Sequence, residues 1–268
     1  MENIPEYLLK SGTIEIRDAL ASISGRKVLD IATQSGGFIS TLMATLRDFE
    51  SFVGLDISNE KWDPKKFEKK PVTFLEMNAE NLEFDDNTFD MVTISHSLHH
   101  LTKINKVLAE MKRVLKPDGY FIIQEMFCDG KQTEAQVADT LTHHWYAEID
   151  TLLGISHNQI LTKNDLKEIV HNLDLKELRI LESSHPVKCL YCDDKLICGN
   201  PKNKDIIDFT IKEIDKTLDR LNKHVKKHGL QENPLVDELR VEGGRMKDIV
   251  NRDGSAPASH LFFIGQKE

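Results

Sequence analysis

The chain has 268 residues, of which 40% are hydrophobic and 29% are charged, and its formal net charge is −9. This length allows one sizeable α/β domain with a small appended unit. The acidic balance disfavours nucleic acid as a partner, because phosphate binding needs a basic surface, and no apolar stretch approaches the roughly 20 residues that membrane insertion needs.

The N-terminal region predicts helical structure over residues 1–24, separated into two parts at Ser11-Gly12. Its start, MENIPEYLLK, lacks the basic segment and apolar core of a secretory signal. The chain contains four cysteines, a number that without an export signal favours a reducing compartment. We therefore expect a cytoplasmic protein.

Residues 26–57 predict a strand, a tight loop, a helix and a second strand. An apolar run at 28–31 is followed by the small residues of 32–37, by helical spacing over 38–46 and by another apolar run that ends at Asp56. In a parallel β-α-β unit such a loop lies at a helix N-terminus, where small residues let a ligand approach the backbone. An acidic residue after the second strand can accept hydrogen bonds from both ribose hydroxyls. The pattern indicates a nucleoside-binding half-fold.

The rest of the chain continues the alternation of strands and helices. Helices are predicted at 103–115, 133–153 and 162–173, and further strands at 72–75, 89–94, 120–123, 175–181 and 260–265. Lys116-Pro117-Asp118-Gly119 has the composition of a turn. We expect the helix at 133–153 to cross the mouth of the site.

Residues 184–257 form an insertion before the last strand. Six apolar residues in it follow the spacing of a coiled-coil seam: Ile207, Ile211, Ile214, Leu218, Leu221 and Val225. A second helical stretch, 233–251, is interrupted by Gly243-Gly244. The pattern favours a helical hairpin that packs on the domain or forms a lid, and the alternative is a dimerisation arm, hence a possible homodimer.

A cluster of soft donors lies at the start of this insertion, with His185, Cys189, Cys192 and Cys198 as its members. A β-hairpin with a turn at Asp193-Asp194 would align some of these cysteines without completing a four-ligand site. We therefore predict no metal site, and keep the cluster as the alternative.

The segment VLDIATQSGGF resembles the first motif of class I S-adenosylmethionine (SAM) methyltransferases. Asp30 stands at the acidic position, Ala32 and Gln34 stand where glycines are usual, and Gly36 is retained. Four further stretches resemble later motifs of the same family in the expected order: LEMNAENLEFDDNTFDMV, TISHSLHHL, MKRVLKPDGYFIIQEM and SHLFFIGQKE. The resemblance is strongest to the broad group containing the ubiquinone/menaquinone-biosynthesis methyltransferases.

This resemblance implies an α/β fold with a seven-stranded, mostly parallel, Rossmann-like sheet, helices on both faces and a helical insertion between strands 6 and 7. It assigns 1–183 plus 258–268 to the SAM-binding domain and 184–257 to the insertion. The positions that match cofactor-binding residues of the family are Tyr7, Asp30, Ala32, Thr33, Gln34, Gly36, Asp56, Ile57, Asn78, Ala79, Glu80, Ser95 and His96.

Methyl transfer from a sulfonium requires the protein to align a nucleophile and exclude water, with a general base only for a protonated acceptor. Candidates must lie at the carboxyl ends of the strands or on the crossing helix. The catalytic candidates are His96, Glu125, His143, His144 and Tyr146.

The predicted function is SAM-dependent methyl transfer to an unidentified small-molecule acceptor. One alternative is a SAM-binding assembly subunit with altered catalysis, because Gln34 departs from the loop pattern and the insertion carries a heptad helix. The other is a thiol-based metalloid methyltransferase that uses the cysteine cluster. A nicotinamide dehydrogenase is disfavoured, because the glycine pattern of a dinucleotide site is absent.

Overall fold

The structure is a computed structural model that describes residues 13–183 and 200–268. Within these residues the helices are α1 (Thr13–Ala21), α2 (Gly37–Thr45), α3 (Ile104–Val114), α4 (Glu134–Leu152), α5 (Lys163–His171), α6 (Lys204–His228) and α7 (Pro234–Asp253). The strands are β1 (Lys27–Ile31), β2 (Ser51–Asp56), β3 (Val72–Glu76), β4 (Phe89–Ser95), β5 (Leu115–Met126), β6 (Lys176–Ser183) and β7 (His260–Gln266). Two short 3₁₀ turns occupy Pro64–Phe67 and Leu98–His100.

The strands form one sheet in the order β3-β2-β1-β4-β5-β7-β6. The pairs among β1 to β5 are parallel, whereas β7 runs antiparallel to both of its neighbours. The chain moves towards one edge through α2 and towards the other through α3, and right-handed crossovers then place these helices on opposite faces. The predicted seven-stranded, mostly parallel α/β sheet is confirmed. Its strand order reverses between β1 and β4, where open α/β sheets bind ligands.

Strand β5 is longer than predicted, because it begins before the turn at 116–119 instead of after it. The register with β4 shifts between Phe89 and Met91, so the turn residues form an irregularity within the strand. Asp118 takes the positive φ of 61°, not Gly119. A Cβ at Gly119 would lie 2.5 Å from Leu115 Cδ1, so this glycine is needed for close packing.

The chain divides into two compact units. The sheet unit contains the described residues 13–126, 163–183 and 260–268, and the helical unit contains 127–162 and 200–259. The predicted division kept 127–162 with the sheet. The structure differs there because α4 contributes buried apolar side chains to a core that it shares with α6 and α7. Among the described residues, no helix combines the length and apolarity that spanning a membrane requires.

The core of the helical unit uses the coiled-coil spacing seen in the sequence. Ile214, Leu221 and Val225 of α6 are buried in it, and the other three seam residues pack against it. The seam therefore pairs with helices of the same unit. Helix α7 runs without a break through Gly243-Gly244, where an interruption was predicted. A Cβ at Gly243 would lie 2.7 Å from the Trp145 ring, so the glycine permits close helix contact.

Candidate functional site

The loop between β1 and α2 has three residues in the left-handed backbone conformation, at alternate positions. Ala32, Gln34 and Gly36 have φ values of 53°, 45° and 75°. Left-handed backbone is natural for glycine and costs other residues roughly 1–2 kcal/mol. The loop is closed by hydrogen bonds from Thr33 N to Leu55 O at 2.9 Å and from Gly36 N to Thr33 O at 2.8 Å. The backbone therefore keeps a glycine-type path where the sequence has alanine and glutamine.

Gly36 is the position where this loop has no room for a side chain. A Cβ there would lie 2.6 Å from the Phe67 ring and 3.2 Å from Phe74. A Cβ at Gly54 of β2 would likewise lie 2.9 Å from Thr33 Cγ2, beneath the loop. These close contacts explain why both positions are occupied by glycine. Gln34, in contrast, is exposed.

Asp30 lies under the loop and is 1% exposed. Its carboxylate accepts hydrogen bonds from the hydroxyls of Thr33 and Thr93, each at 2.7 Å. Burial raises the pKa of Asp30 from 3.8 to about 6, against the lowering effect of the two hydroxyls. Asp30 was predicted to be a cofactor-binding residue. In this structure its carboxylate accepts hydrogen bonds that stabilise the loop.

Asp56 ends β2 beside the loop and is half-buried. Its Oδ2 accepts from Gln34 N at 2.9 Å and its Oδ1 from Ile57 N at 2.8 Å. Each carboxylate oxygen can accept about two hydrogen bonds, so each keeps capacity for one more donor. The adjacent Ile57 is 71% exposed, an unusual position for a large apolar side chain. Together they present two acceptor oxygens beside an apolar surface.

The predicted adenine-flanking residues follow β3. Asn78 is exposed, and its side chain accepts from Glu80 N at 2.9 Å, which orders the turn through Ala79. Glu80 is bound by Lys103 at 2.8 Å, and this hydrogen bond is the main reason that its pKa lies below the usual value. The turn is therefore fixed by its own side chains.

Ser95 and His96 lie at the carboxyl end of β4. His96 N donates to Gln124 O at 2.8 Å, and the His96 residue itself has a positive φ of 49°. Its ring lies 4.9 Å from that of His260, between ring centroids. Burial lowers the pKa of His96, although the charge of Glu125 acts in the opposite direction. His96 is therefore a neutral imidazole near pH 7. His260 was not predicted as a site residue, because its place as the first residue of the last strand gave no sequence signal.

Glu125, a predicted catalytic residue, is buried at the end of β5. Its carboxylate accepts from Leu98 N at 2.7 Å and Met126 N at 2.9 Å, and its Oε1 lies 3.1 Å from His99 Nδ1. Burial alone would raise the pKa of Glu125, but the hydrogen bonds with His99 and Leu98 act in the opposite direction, and the pKa is lowered. These contacts fasten the 3₁₀ turn to the sheet.

The other catalytic candidates belong to α4 in the helical unit. His143 Nε2 lies 3.2 Å from His157 Nε2, and His157 Nδ1 lies 2.7 Å from Asp150 Oδ2. Tyr146 packs near His143, with 6.4 Å between ring centroids, and burial raises the pKa of its hydroxyl. The predicted site residues His143 and Tyr146 are thus neighbours. His157 and Asp150 were missed, because their pairing depends on the chain folding back after α4.

His144 follows His143 on α4 and is half-buried. Successive helix positions point about 100° apart, so only one of the two histidines can share the side of α4 that faces His157. That residue is His143.

Some predicted site residues lie outside the described residues. They are Tyr7 and the soft-donor cluster of His185, Cys189, Cys192 and Cys198. Their proposed roles stay predictions.

Comparison with known proteins shows which proteins part of this chain resembles. Residues 29–123 match the family model described as "Methyltransferase domain". A phthiotriol/phenolphthiotriol dimycocerosates methyltransferase of Mycobacterium tuberculosis is 37% identical over 101 residues, which cover 37% of this chain and 37% of that protein. A ubiquinone/menaquinone biosynthesis C-methyltransferase of Haemophilus ducreyi is 34% identical over 107 residues, covering 38% of this chain and 41% of that protein.

The chain thus spans less than half of the length of these curated relatives. A solved structure from Bacillus halodurans C-125 superposes with a TM-score of 0.56 at 16% identity, covering 95% of this chain and 98% of the other. At this identity the likeness concerns the fold alone.

Proposed function

We propose that this chain, whose residues 29–123 match a methyltransferase-domain family model, is a class I SAM-dependent methyltransferase that transfers the methyl group of SAM to a small-molecule acceptor. The observation that carries this proposal is the backbone of the β1–α2 loop. It holds left-handed turns at 32, 34 and 36, although two of these positions are not glycine. Residues held in sparsely populated backbone conformations cluster at active sites and ligand-binding loops, which is the role proposed for this loop.

The residues around the loop fit an adenosyl group. The free acceptor capacity of the two Asp56 oxygens suits the two hydroxyls of a ribose. Exposed Ile57 offers an apolar surface to one face of a purine, and the ordered turn at 78–80 offers backbone groups to its edge. The loop itself lies at the N-terminus of α2, where unpaired backbone N–H groups favour a carboxylate.

The chemistry that SAM supplies when bound is an electrophilic methyl group on a sulfonium. The chain's own contribution is to orient the cofactor, exclude water and bring the acceptor into line. For an acceptor that carries a proton, neutral His96 at the end of β4 is our candidate proton acceptor in the sheet unit. Glu125 serves in this proposal as the group that fixes the turn after His96, because its carboxylate accepts hydrogen bonds from Leu98 N and Met126 N.

The acceptor is proposed only as a class. The named relatives match this chain over 101 and 107 residues, and more than half of their own length lies outside the match. Residues 127–162 and 200–259, which form the helical unit, also lie outside the matched family model. We infer that the acceptor is recognised by residues outside the matched portion. A small molecule is the class consistent with the named relatives and with a net charge of −9.

The test is calorimetric titration of the full chain with SAM and with S-adenosylhomocysteine, followed by incubation with methyl-labelled SAM and fractions of small metabolites. We expect saturable binding of both compounds, abolished or strongly weakened in Asp56→Ala, and label in an extracted small molecule. No binding of either compound at millimolar concentration would end the proposal. Binding without transfer to any fraction would favour the altered, non-catalytic subunit.

A further inference from the structure

Two imidazole nitrogens face each other within the helical unit. His143 projects from α4, His157 follows that helix, and their Nε2 atoms are 3.2 Å apart. The two rings are nearly perpendicular, with an interplanar angle of 79°. Neither the proposed methyl transfer nor the packing of the apolar core accounts for this pair. His157 is nevertheless 7% exposed, so the sequence places a polar ring in the interior.

The orientation of His157 is fixed from its other side. Its Nδ1 lies 2.7 Å from Asp150 Oδ2, and Asp150 Oδ1 lies 2.6 Å from a guanidinium nitrogen of Arg220. With Asp150 Oδ2 accepting a hydrogen bond from Nδ1–H, the Nε2 lone pair of His157 points towards His143.

We propose that His143 and His157 coordinate a zinc-type divalent transition-metal ion through their Nε2 atoms, with Asp150 orienting His157. Tetrahedral zinc binds imidazole nitrogen at about 2.0–2.1 Å, which places two such ligands roughly 3.4 Å apart. The observed 3.2 Å is close to that separation. A carboxylate on the second nitrogen of a ligating histidine is the usual outer partner at such sites, and it raises the basicity of the ligand.

The class of ion follows from the donors. Imidazole suits zinc, copper, iron and nickel, whereas magnesium and calcium prefer oxygen ligands. Two histidines fill two positions of a tetrahedral ion. The remaining positions are then available to water, to an atom of a substrate or to another donor. The inference does not depend on SAM binding, because the metal can be measured in the absence of any methyl donor.

The chain contains a matched control for adventitious binding. His224 and His228 lie one turn apart near the end of α6, with ring centroids 4.3 Å apart, and His228 is exposed. Surface histidines one turn apart can also hold a divalent ion, but no carboxylate contact fixes this pair among the hydrogen bonds of the described residues. Substituting both with alanine removes the same number of imidazoles as the His143→Ala/His157→Ala variant.

The experiment uses full-length protein stripped of metal with a chelator and titrated with Co²⁺, whose visible absorption reports tetrahedral nitrogen ligation, then with Zn²⁺ in competition. We expect about one equivalent of tight binding in the wild type and in His224→Ala/His228→Ala. We expect affinity to fall at least about 100-fold in His143→Ala or His157→Ala, and about 10–100-fold in Asp150→Asn.

Undiminished binding in His143→Ala/His157→Ala, or loss only in the α6 variant, would overturn the proposal and leave an adventitious surface site. Because His157 is buried, its variants are compared by circular dichroism and thermal unfolding. His143→Gln, which alters a half-buried helix position, gives the same test with less risk to folding. X-ray absorption at the zinc edge provides a readout without substitution, and a spectrum without imidazole scattering would also contradict the site.

Discussion

The backbone N–H of Gln34 donates a 2.9 Å hydrogen bond to Oδ2 of Asp56. This bond joins the loop after β1 to the acid at the end of β2, and Gln34 makes it from a left-handed conformation with φ of 45°. The left-handed conformation of Gln34 thus directs its backbone N–H at the carboxylate that is proposed to bind ribose. The orientation of Asp56 is fixed before a ligand binds, which reduces the conformational entropy that is lost on binding.

The first prediction concerns this strain. Gln34→Gly relieves a left-handed conformation that costs a non-glycine residue roughly 1–2 kcal/mol, against a smaller loss from the more flexible unfolded chain. We expect the free energy of unfolding to rise by about 1 kcal/mol, measured by urea denaturation with unchanged slope. Gln34→Ala is the control, because it keeps the Cβ and removes only an exposed side chain. Equal free energies of unfolding for the glycine and alanine variants would contradict the prediction that residue 34 is strained.

The second prediction concerns Asp56. Asp56→Asn removes the charge that strengthens hydrogen bonds to ribose hydroxyls, and bonds to charged groups contribute about 1.5–3 kcal/mol. We expect the affinity for S-adenosylhomocysteine to fall by that free energy in calorimetry.

Glu76→Gln is the matched control for this variant, because Glu76 is in register with Asp56 on β3 and is exposed. It removes the same charge from the same edge of the sheet. We expect it to change affinity by less than about 0.5 kcal/mol. Equal losses in the two variants would mean that general charge, and not the Asp56 geometry, attracts the ligand.

The fold was largely predictable because buried parallel strands carry short apolar runs and their crossover helices carry a 3.6-residue period. Strands β3 and β4 begin at the predicted residues and each extends one residue further than predicted at its C-terminal end. The sequence was less informative where packing overrides local preference. Gly243-Gly244 was expected to interrupt α7, yet the helix continues because Gly243 lies against Trp145.

The candidate site was predictable where a residue type marks a strand end. Asp56 and Ile57 could be located from the apolar run before them, and Gly36 from the loop motif. The hydrogen bonds from Thr33 and Thr93 to the Asp30 carboxylate could not be predicted, because Thr93 is 63 residues away from Asp30 in the sequence. Contacts of that kind depend on strand order, which local patterns do not encode.

The third prediction is a pH dependence. The pKa of Asp30 is raised from 3.8 to about 6 by burial, so the folded protein binds a proton more tightly than the unfolded chain between these values. Stability from this group is therefore present below about pH 4 and is lost as pH rises through about 6. The shift of roughly two pKa units corresponds to about 3 kcal/mol.

Asp30→Asn isolates this contribution, because an asparagine there does not titrate. We expect the difference in unfolding free energy between wild type and variant to change by a few kcal/mol across pH 4–6.5. The wild type should become less stable relative to the variant as pH rises. Asp139→Asn is a comparison variant, since burial also raises the pKa of Asp139 to about 6. A difference between wild type and Asp30→Asn that does not vary with pH would show that Asp30 titrates normally.

The fourth prediction uses the two adjacent glycines of α7. Alanine is favoured over glycine in a helix by about 1 kcal/mol. At Gly244, where a Cβ would meet no atom within 4 Å, we expect Gly244→Ala to raise the free energy of unfolding by about that amount.

At Gly243 the added methyl would lie 2.7 Å from Trp145 Cζ2 and 2.9 Å from Leu218 Cδ2, inside the contact distance of real side chains. Overpacking of this kind typically costs about 1–3 kcal/mol, which exceeds the gain in helix propensity. We therefore expect Gly243→Ala to lower the melting temperature while Gly244→Ala raises it. Two neighbouring, chemically identical substitutions with opposite signs separate packing from propensity, and stabilisation by both would mean that α7 does not lie close to Trp145.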